Sequence, residues 1–216
     1  FKNIKDLFSL SIPMTLSKLI GSITYFFEPI ILTFVLLKLG YNNNFILTNY
    51  GIISGYVLPL ILLPSFFTNA ISQALVPVIS SHYVKNDFKY IRYKIKQAMI
   101  ISLILGLVFT TIFITKGDLL LKLIYNTNEG FNYIKFIAPV FILHYIEHPL
   151  LSALHAMKHA KTNMFISFIN MTIRTLGLFL LLHLNIGMYA LLIALAINIA
   201  FTCLYAGYKV NKLTKK

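Results

Sequence analysis

The chain has 216 residues, 58% hydrophobic and only 12% charged, and a formal net charge of +13. A soluble domain carries about 25% charged residues, so the composition excludes an ordinary soluble core and indicates an integral membrane protein. The basic residues lie between long apolar stretches, where they read as orientation signals rather than a nucleic-acid surface, and a single cysteine (Cys203) excludes an internal disulfide or a cysteine-rich metal site.

The chain opens FKNIKDLF, without an initiator Met and without the short apolar core and small-residue site of a signal peptide, and so reads as a fragment of a longer protein. A span needs about 20 apolar residues. Six are predicted, at about 7–37, 48–80, 95–115, 131–157, 164–184 and 187–208. The first carries Lys18 and Glu28 inside an apolar run, with Pro13 and Pro29 expected to break the helix. A charge in hydrocarbon costs about 2.5–3.5 kcal/mol on insertion scales, which marks such residues as facing a bundle interior or a watery cavity. Ten residues apart, Lys18 and Glu28 differ by roughly 80° around a straight helix and about 15 Å along it, so each needs a different partner. Arg174 is a candidate partner for Glu28.

The second predicted span is interrupted by Pro59, Pro64 and Pro77. Each removes a donor to the carbonyl four residues earlier. With Asn69 and Gln73 one turn apart, this predicts a bent helix beside a hydrated cavity. Gly51 and Gly55 form a close-packing signal. After the third span, GDLLLKLIYN is too short to cross and is predicted to be an interfacial helix starting near Asp118.

The fourth span carries His144, His148, Ser152, His155 and His159 on one face, with Glu147 alongside. HYIEH fits the H-x-x-E-H pattern of inverted zinc peptidases, but Pro149 follows and no acidic residue occurs downstream to complete a zinc site. A packed polar face and a proton-sensing histidine are the other readings. The fifth span carries Asn163, Ser167, Asn170 and Arg174 at spacings of 4, 3 and 4, which is one helical face. Arg174 lies about 15 Å from either end of that span, a long reach for snorkelling, and is expected to face a cavity.

With six spans both termini share one side. That side collects 13 of the lysines and arginines against 4 on the other, which predicts that both termini are cytoplasmic. The overall expectation is an all-α polytopic bundle forming a single transmembrane unit, with Lys18, Glu28, Arg174, Asn170, Gln73 and Asn69 as candidate cavity residues and no metal or cofactor.

Three segments carry a resemblance: SIPMTLSKLIGSI, YGIISGYVLPLILLPSFFTNAISQALVPVIS and APVFILHYIEHPLLSALHAMKHAK. They resemble the second lobe of the MOP transporter superfamily, in particular the polysaccharide-transporter branch that includes the stage V sporulation protein B group and the lipid II flippases. The run Tyr50–Ser80 is the most specific piece. The resemblance implies one MATE-like lobe of a two-lobe transporter working by alternating access in the cell membrane, with the N-terminal lobe missing. It further implies an undecaprenyl-linked saccharide as substrate, and a phosphate contact for Lys18, which stands where that branch often has a basic residue after TLS. Glu28 matches an acidic position in related sequences. Two deep cations favour an anionic substrate. The alternatives are a cation-coupled multidrug antiporter lobe, using Glu28 and Glu147, and a membrane subunit without transport.

Overall fold

The computed structural model describes residues 2–215, without the side chains of residues 2–7, 9, 10, 13, 14 and 17. Helix α1, Lys2–Lys38, runs on through Pro13 and Pro29, so the breaks expected at both do not occur. A turn closed by the amide of Tyr41 on the carbonyl of Leu36 leads to α2, Asn43–Ile52, whose N-cap Asn42 accepts from the amide of Asn44.

The second predicted span is resolved into pieces, and the prolines explain where. Pro59 has no N–H for the Gly55 carbonyl and its ring crowds it. The chain meets this by widening into a π-helical turn, Ile53–Val57, before α3, Leu58–Leu62. A sharp turn at Leu63 and Pro64 then leads to α4, Ser65–Val84, which absorbs Pro77 in its interior. The remaining helices are α5 (Phe88–Tyr125), α6 (Phe131–Ala156), α7 (Ala160–Leu182) and α8 (Tyr189–Thr214). The segment expected to be a separate interfacial helix near Asp118 is instead the end of α5, continuous with the third span across one non-helical residue, Lys116 (φ −132°, ψ 15°). Among the described residues six helical stretches are long and apolar enough to cross a membrane.

The core falls into two stacked clusters. One joins Leu32 and Leu36 of α1, Ile53 and Leu60, Phe113 and Leu121 of α5, Ile137 of α6, Leu178 of α7 and Leu192 of α8. The other joins Leu75 and Ile79 of α4, Ile95 of α5, Leu154 of α6, Ile166 of α7 and Val210 of α8. Helices α2 and α3 belong to the first layer and α4 to the second, so the three form one bent path through both layers. Among the described residues no side chain comes within 4 Å of the Cβ positions of Gly51 and Gly55. The close-packing role expected for that pair is not realised within this chain.

Tyr145, fully buried on α6, holds the bend: its hydroxyl donates to the carbonyl of Ile61 at 2.6 Å. The Leu60 carbonyl that Pro64 cannot serve accepts instead from the amide of Leu63, and the neighbouring Ile61 carbonyl is taken by the phenol. Tyr145→Phe removes the donor while keeping the ring and leaves a buried carbonyl unpaired, a cost of about 1–3 kcal/mol. Thermal unfolding of the variant in detergent should show that loss; an unchanged midpoint would mean the bend is held by packing alone.

Candidate functional site

Helix α1 lies against α7, and this pairing creates the polar centre. The Nε of Arg174 donates to Oε2 of Glu28 at 2.6 Å, with the two residues 7% and 5% exposed. A charge pair this deep, in an otherwise apolar bundle, is held by direct contact because neither partner has water to replace the other. The guanidinium also sits over the ring of Tyr25, 4.6 Å from its centroid, and Tyr50 of α2 stands beside the Glu28 carboxylate.

A polar ladder continues from this pair between α7 and α8. The amide of Asn198 donates to the backbone carbonyl of Asn170 at 3.0 Å, and Asn170 donates to the hydroxyl of Thr202 at 2.7 Å. Thr202 in turn donates to the carbonyl of Asn198. Lower on α7, Asn163 donates to the carbonyl of Leu151 on α6, and Ser167 bonds the carbonyl of Asn163. The stripe Asn163, Ser167, Asn170 and Arg174 is therefore one connected face, as its spacing predicts, but it serves helix packing as well as lining space.

Two cavities flank Arg174. One, of about 150 Å³, is lined by Thr24, Ser167, Asn170 and Asn198 along with Tyr25 and Arg174. The other, of about 170 Å³, adds His144 and Glu147 of α6. Glu147 is 8% exposed; its Oε1 meets Nδ1 of His144 at 2.7 Å, while Oε2 has no hydrogen-bond partner among the described residues. Tyr25, Arg174 and Asn198 belong to both cavities and form the wall between them. Among the described residues no group of three or more His, Cys, Asp and Glu side chains is placed to hold a metal, so His144, Glu147 and His148 do not assemble the zinc site that HYIEH evokes.

Of the six candidate residues, Glu28, Arg174 and Asn170 converge here. Asn69 and Gln73 do not: both are exposed on α4, away from either cavity. Lys18 is exposed on α1 and meets no carboxylate among the described residues. It shares its face with Ser11, Thr15, Ser22 and Tyr25, all exposed, at spacings of 4, 3, 4 and 3. The polar stripe of α1 therefore runs along the helix from Lys18 towards the ion pair, which lies ten residues, about 15 Å, further on.

Asn198 was not singled out from the sequence. A lone amide in the apolar run LIALAINIAFT is a usable signal, because an unpaired amide in a span is costly. Tyr25 was legible by its spacing, seven residues from Lys18 on the same face and one turn from Glu28, but not as a partner of Arg174.

Comparison with known proteins sets this geometry in a family. The MatE family profile matches residues 19–180. Stage V sporulation protein B of Bacillus subtilis (strain 168) is 34% identical over 176 residues, which is 82% of this chain and 34% of that protein. Sporulation protein YkvU of the same organism is 24% identical over 157 residues, 73% of this chain and 35% of that protein. A crystal structure of MATE in complex with MaL6 shares the fold with a TM-score of 0.67 at 13% identity, over 99% of this chain and 48% of that one. The chain thus spans about a third of the length of the curated relatives it matches and about half of the solved structure. Its six apolar crossings and the profile match over most of its length establish that the chain is a multi-pass membrane protein and belongs to the MatE family.

Proposed function

We propose that this chain forms one lobe of a flippase that moves a lipid-linked oligosaccharide or peptidoglycan precursor outward across the cytoplasmic membrane by alternating access. A preceding lobe of the same protein supplies the facing wall, and both termini of this segment are cytoplasmic. The observation that carries the reading is Lys18, an exposed ammonium on a hydroxyl-lined stripe of α1 that leads to the Glu28–Arg174 pair. An exposed ammonium is a point-charge partner for a phosphate. The charge asymmetry supports a cytoplasmic start for that stripe, the side on which an outward flippase must collect its substrate. Similarity to two sporulation proteins supports a role in building the envelope during sporulation.

The test is reconstitution of the intact protein in liposomes with a fluorescent undecaprenyl-pyrophosphate saccharide in the inner leaflet. Protein-dependent appearance of the label in the outer leaflet is the expected result; no transbilayer movement under any imposed ion gradient overturns the reading.

One observation favours a second reading, a cation-coupled multidrug antiporter lobe: Glu147 presents an unpartnered carboxylate oxygen beside a cavity. That reading requires gradient-driven efflux of a cationic dye that Glu147→Gln or Glu28→Gln abolishes. Arg174 in the wall of both cavities disfavours a cationic cargo.

A further inference from the structure

A cavity of about 560 Å³ lies not in the centre of the bundle but at its Lys38 end, opposite Lys18. Its volume falls within the range of about 300–1,000 Å³ typical of small-molecule sites. Its walls come from three places: the middle of α2, the loop between α5 and α6 with the first turn of α6, and the start of α8.

The chemistry of this lining is specific. Tyr133 and Tyr189 meet edge to face with ring centroids 5.3 Å apart, and Tyr189 is 37% exposed, so part of its ring faces outward. The Tyr133 hydroxyl donates to Oδ1 of Asn49 at 2.8 Å, and the Asn49 amide nitrogen donates to the carbonyl of Phe45 at 2.9 Å. That side is locked. Opposite it, Asn128, Glu129 and Asn132 are exposed, and their side chains have no hydrogen-bond partner among the described residues. Glu129 is the one charged side chain in the lining. The loop that presents these groups is itself fixed: Gly130 has φ +92°, and a Cβ there would come within 2.8 Å of Ile52 and Val57. The loop is pressed against α2 and the π-helical turn too closely for a side chain.

A rigid pocket with aromatic faces on one wall, primary amides and one carboxylate on the other, and almost no net charge matches an uncharged ring with apolar C–H faces and several hydroxyls. Phosphate fits it badly, because no cation lines it. From this geometry we propose that the pocket binds a pyranose ring, a tyrosine ring face packing on its C–H face and Asn128, Glu129 and Asn132 taking its hydroxyl and amide groups. The inference rests on the flippase reading for its biological source, the saccharide head group arriving at the outer face. It makes the outer mouth a sugar-reading site spatially separate from the phosphate-reading end at Lys18.

The experiment uses the intact protein in nanodiscs and N,N′-diacetylchitobiose as probe, read by saturation-transfer NMR. The wild type should transfer saturation to the sugar ring protons. Tyr189→Leu with Asn132→Ala should weaken binding by about tenfold or more, as expected for losing an aromatic face and an amide. Glu129→Gln with Asn132→Ala alters only exposed side chains, so it keeps the test valid if the first variant misfolds; it should weaken binding too. Lys18→Ala should leave sugar binding unchanged. No transfer in the wild type, or equal transfer in both double variants, overturns the proposal. The two sources of a pyranose are separated by transbilayer rates. A site for the lipid-linked head group predicts that the double variants slow a saccharide-bearing lipid but not the same lipid lacking its sugar. A site for free sugar predicts that neither rate changes while chitobiose binding is lost. If no lipid moves at all but chitobiose binding still depends on Tyr189, the pocket stands and the flippase reading falls.

Discussion

Replacing Glu28 by Gln is expected to destabilise the protein by about 3–5 kcal/mol, and replacing Glu28 and Arg174 together by Leu is expected to recover most of that loss. The physical basis is the depth of the pair. With Glu28 neutralised, the guanidinium of Arg174 remains 7% exposed with no carboxylate to meet it. An arginine cannot shed its charge, and the cost of a buried unpaired ion is several kcal/mol. Arg174→Met should be milder, because a lone carboxylate can discharge by taking up a proton. The double Leu variant buries no charge and fills similar space. Thermal unfolding in one detergent of the wild type, Glu28→Leu, Arg174→Leu and the double Leu variant closes a double-mutant cycle. A large coupling energy together with a stable, transport-competent double variant would make the pair purely structural. A stable double variant that no longer transports would place the pair in the substrate or coupling path. Equal stability of Glu28→Gln and the wild type would contradict the burial on which the argument rests.

How much of this was legible in the sequence follows from which forces act locally. The stripe on α7 was readable because a 3.6-residue period is a local property, and Arg174 stood out because a charge far from both ends of a span has few solutions. Helix geometry excluded Lys18 as the partner of Glu28 and left Arg174 as a candidate, which the structure realises. The bend between α3 and α4 was legible as a proline effect, but the Tyr145 hydroxyl that satisfies Ile61 was not, because the two residues are 84 positions apart. Pro29 misled: a helix tolerates a proline when packing outweighs one lost hydrogen bond, and α1 is held along α7. Asn69 and Gln73 line neither of the cavities beside Arg174. Their spacing correctly placed them together, yet nothing in a single helix says which neighbour its polar face will meet. The outer pocket escaped notice because its residues are scattered over α2, a loop, α6 and α8, and tyrosines and asparagines near a membrane boundary carry no motif.

Lys18→Ala should weaken binding of a lipid-linked pyrophosphate by about 10–100-fold while leaving stability unchanged. A charge-assisted hydrogen bond contributes about 1.5–3 kcal/mol, and each 1.4 kcal/mol is tenfold in affinity. The absence of a stability effect follows from the exposure of Lys18 and from its lack of a carboxylate partner among the described residues. Its removal opens no cavity and orphans no charge. Two further readouts distinguish a phosphate contact from a loss of general surface charge. Lys18→Arg keeps a cation at the same place and should stay within a few-fold of wild type, whereas Lys18→Gln should resemble Ala. Wild-type affinity should also fall as salt rises, since an exposed charge is screened within about 10 Å at 0.1 M ionic strength, and the alanine variant should lose part of that dependence. The position explains why one lysine carries so much. Glu28 already occupies Arg174, so that cation offers little net charge to an anion, and the unneutralised ammonium of Lys18 is the exposed cation on the stripe that leads to it. Affinity that survives Lys18→Ala with its salt dependence intact would move phosphate recognition to another part of the complete transporter.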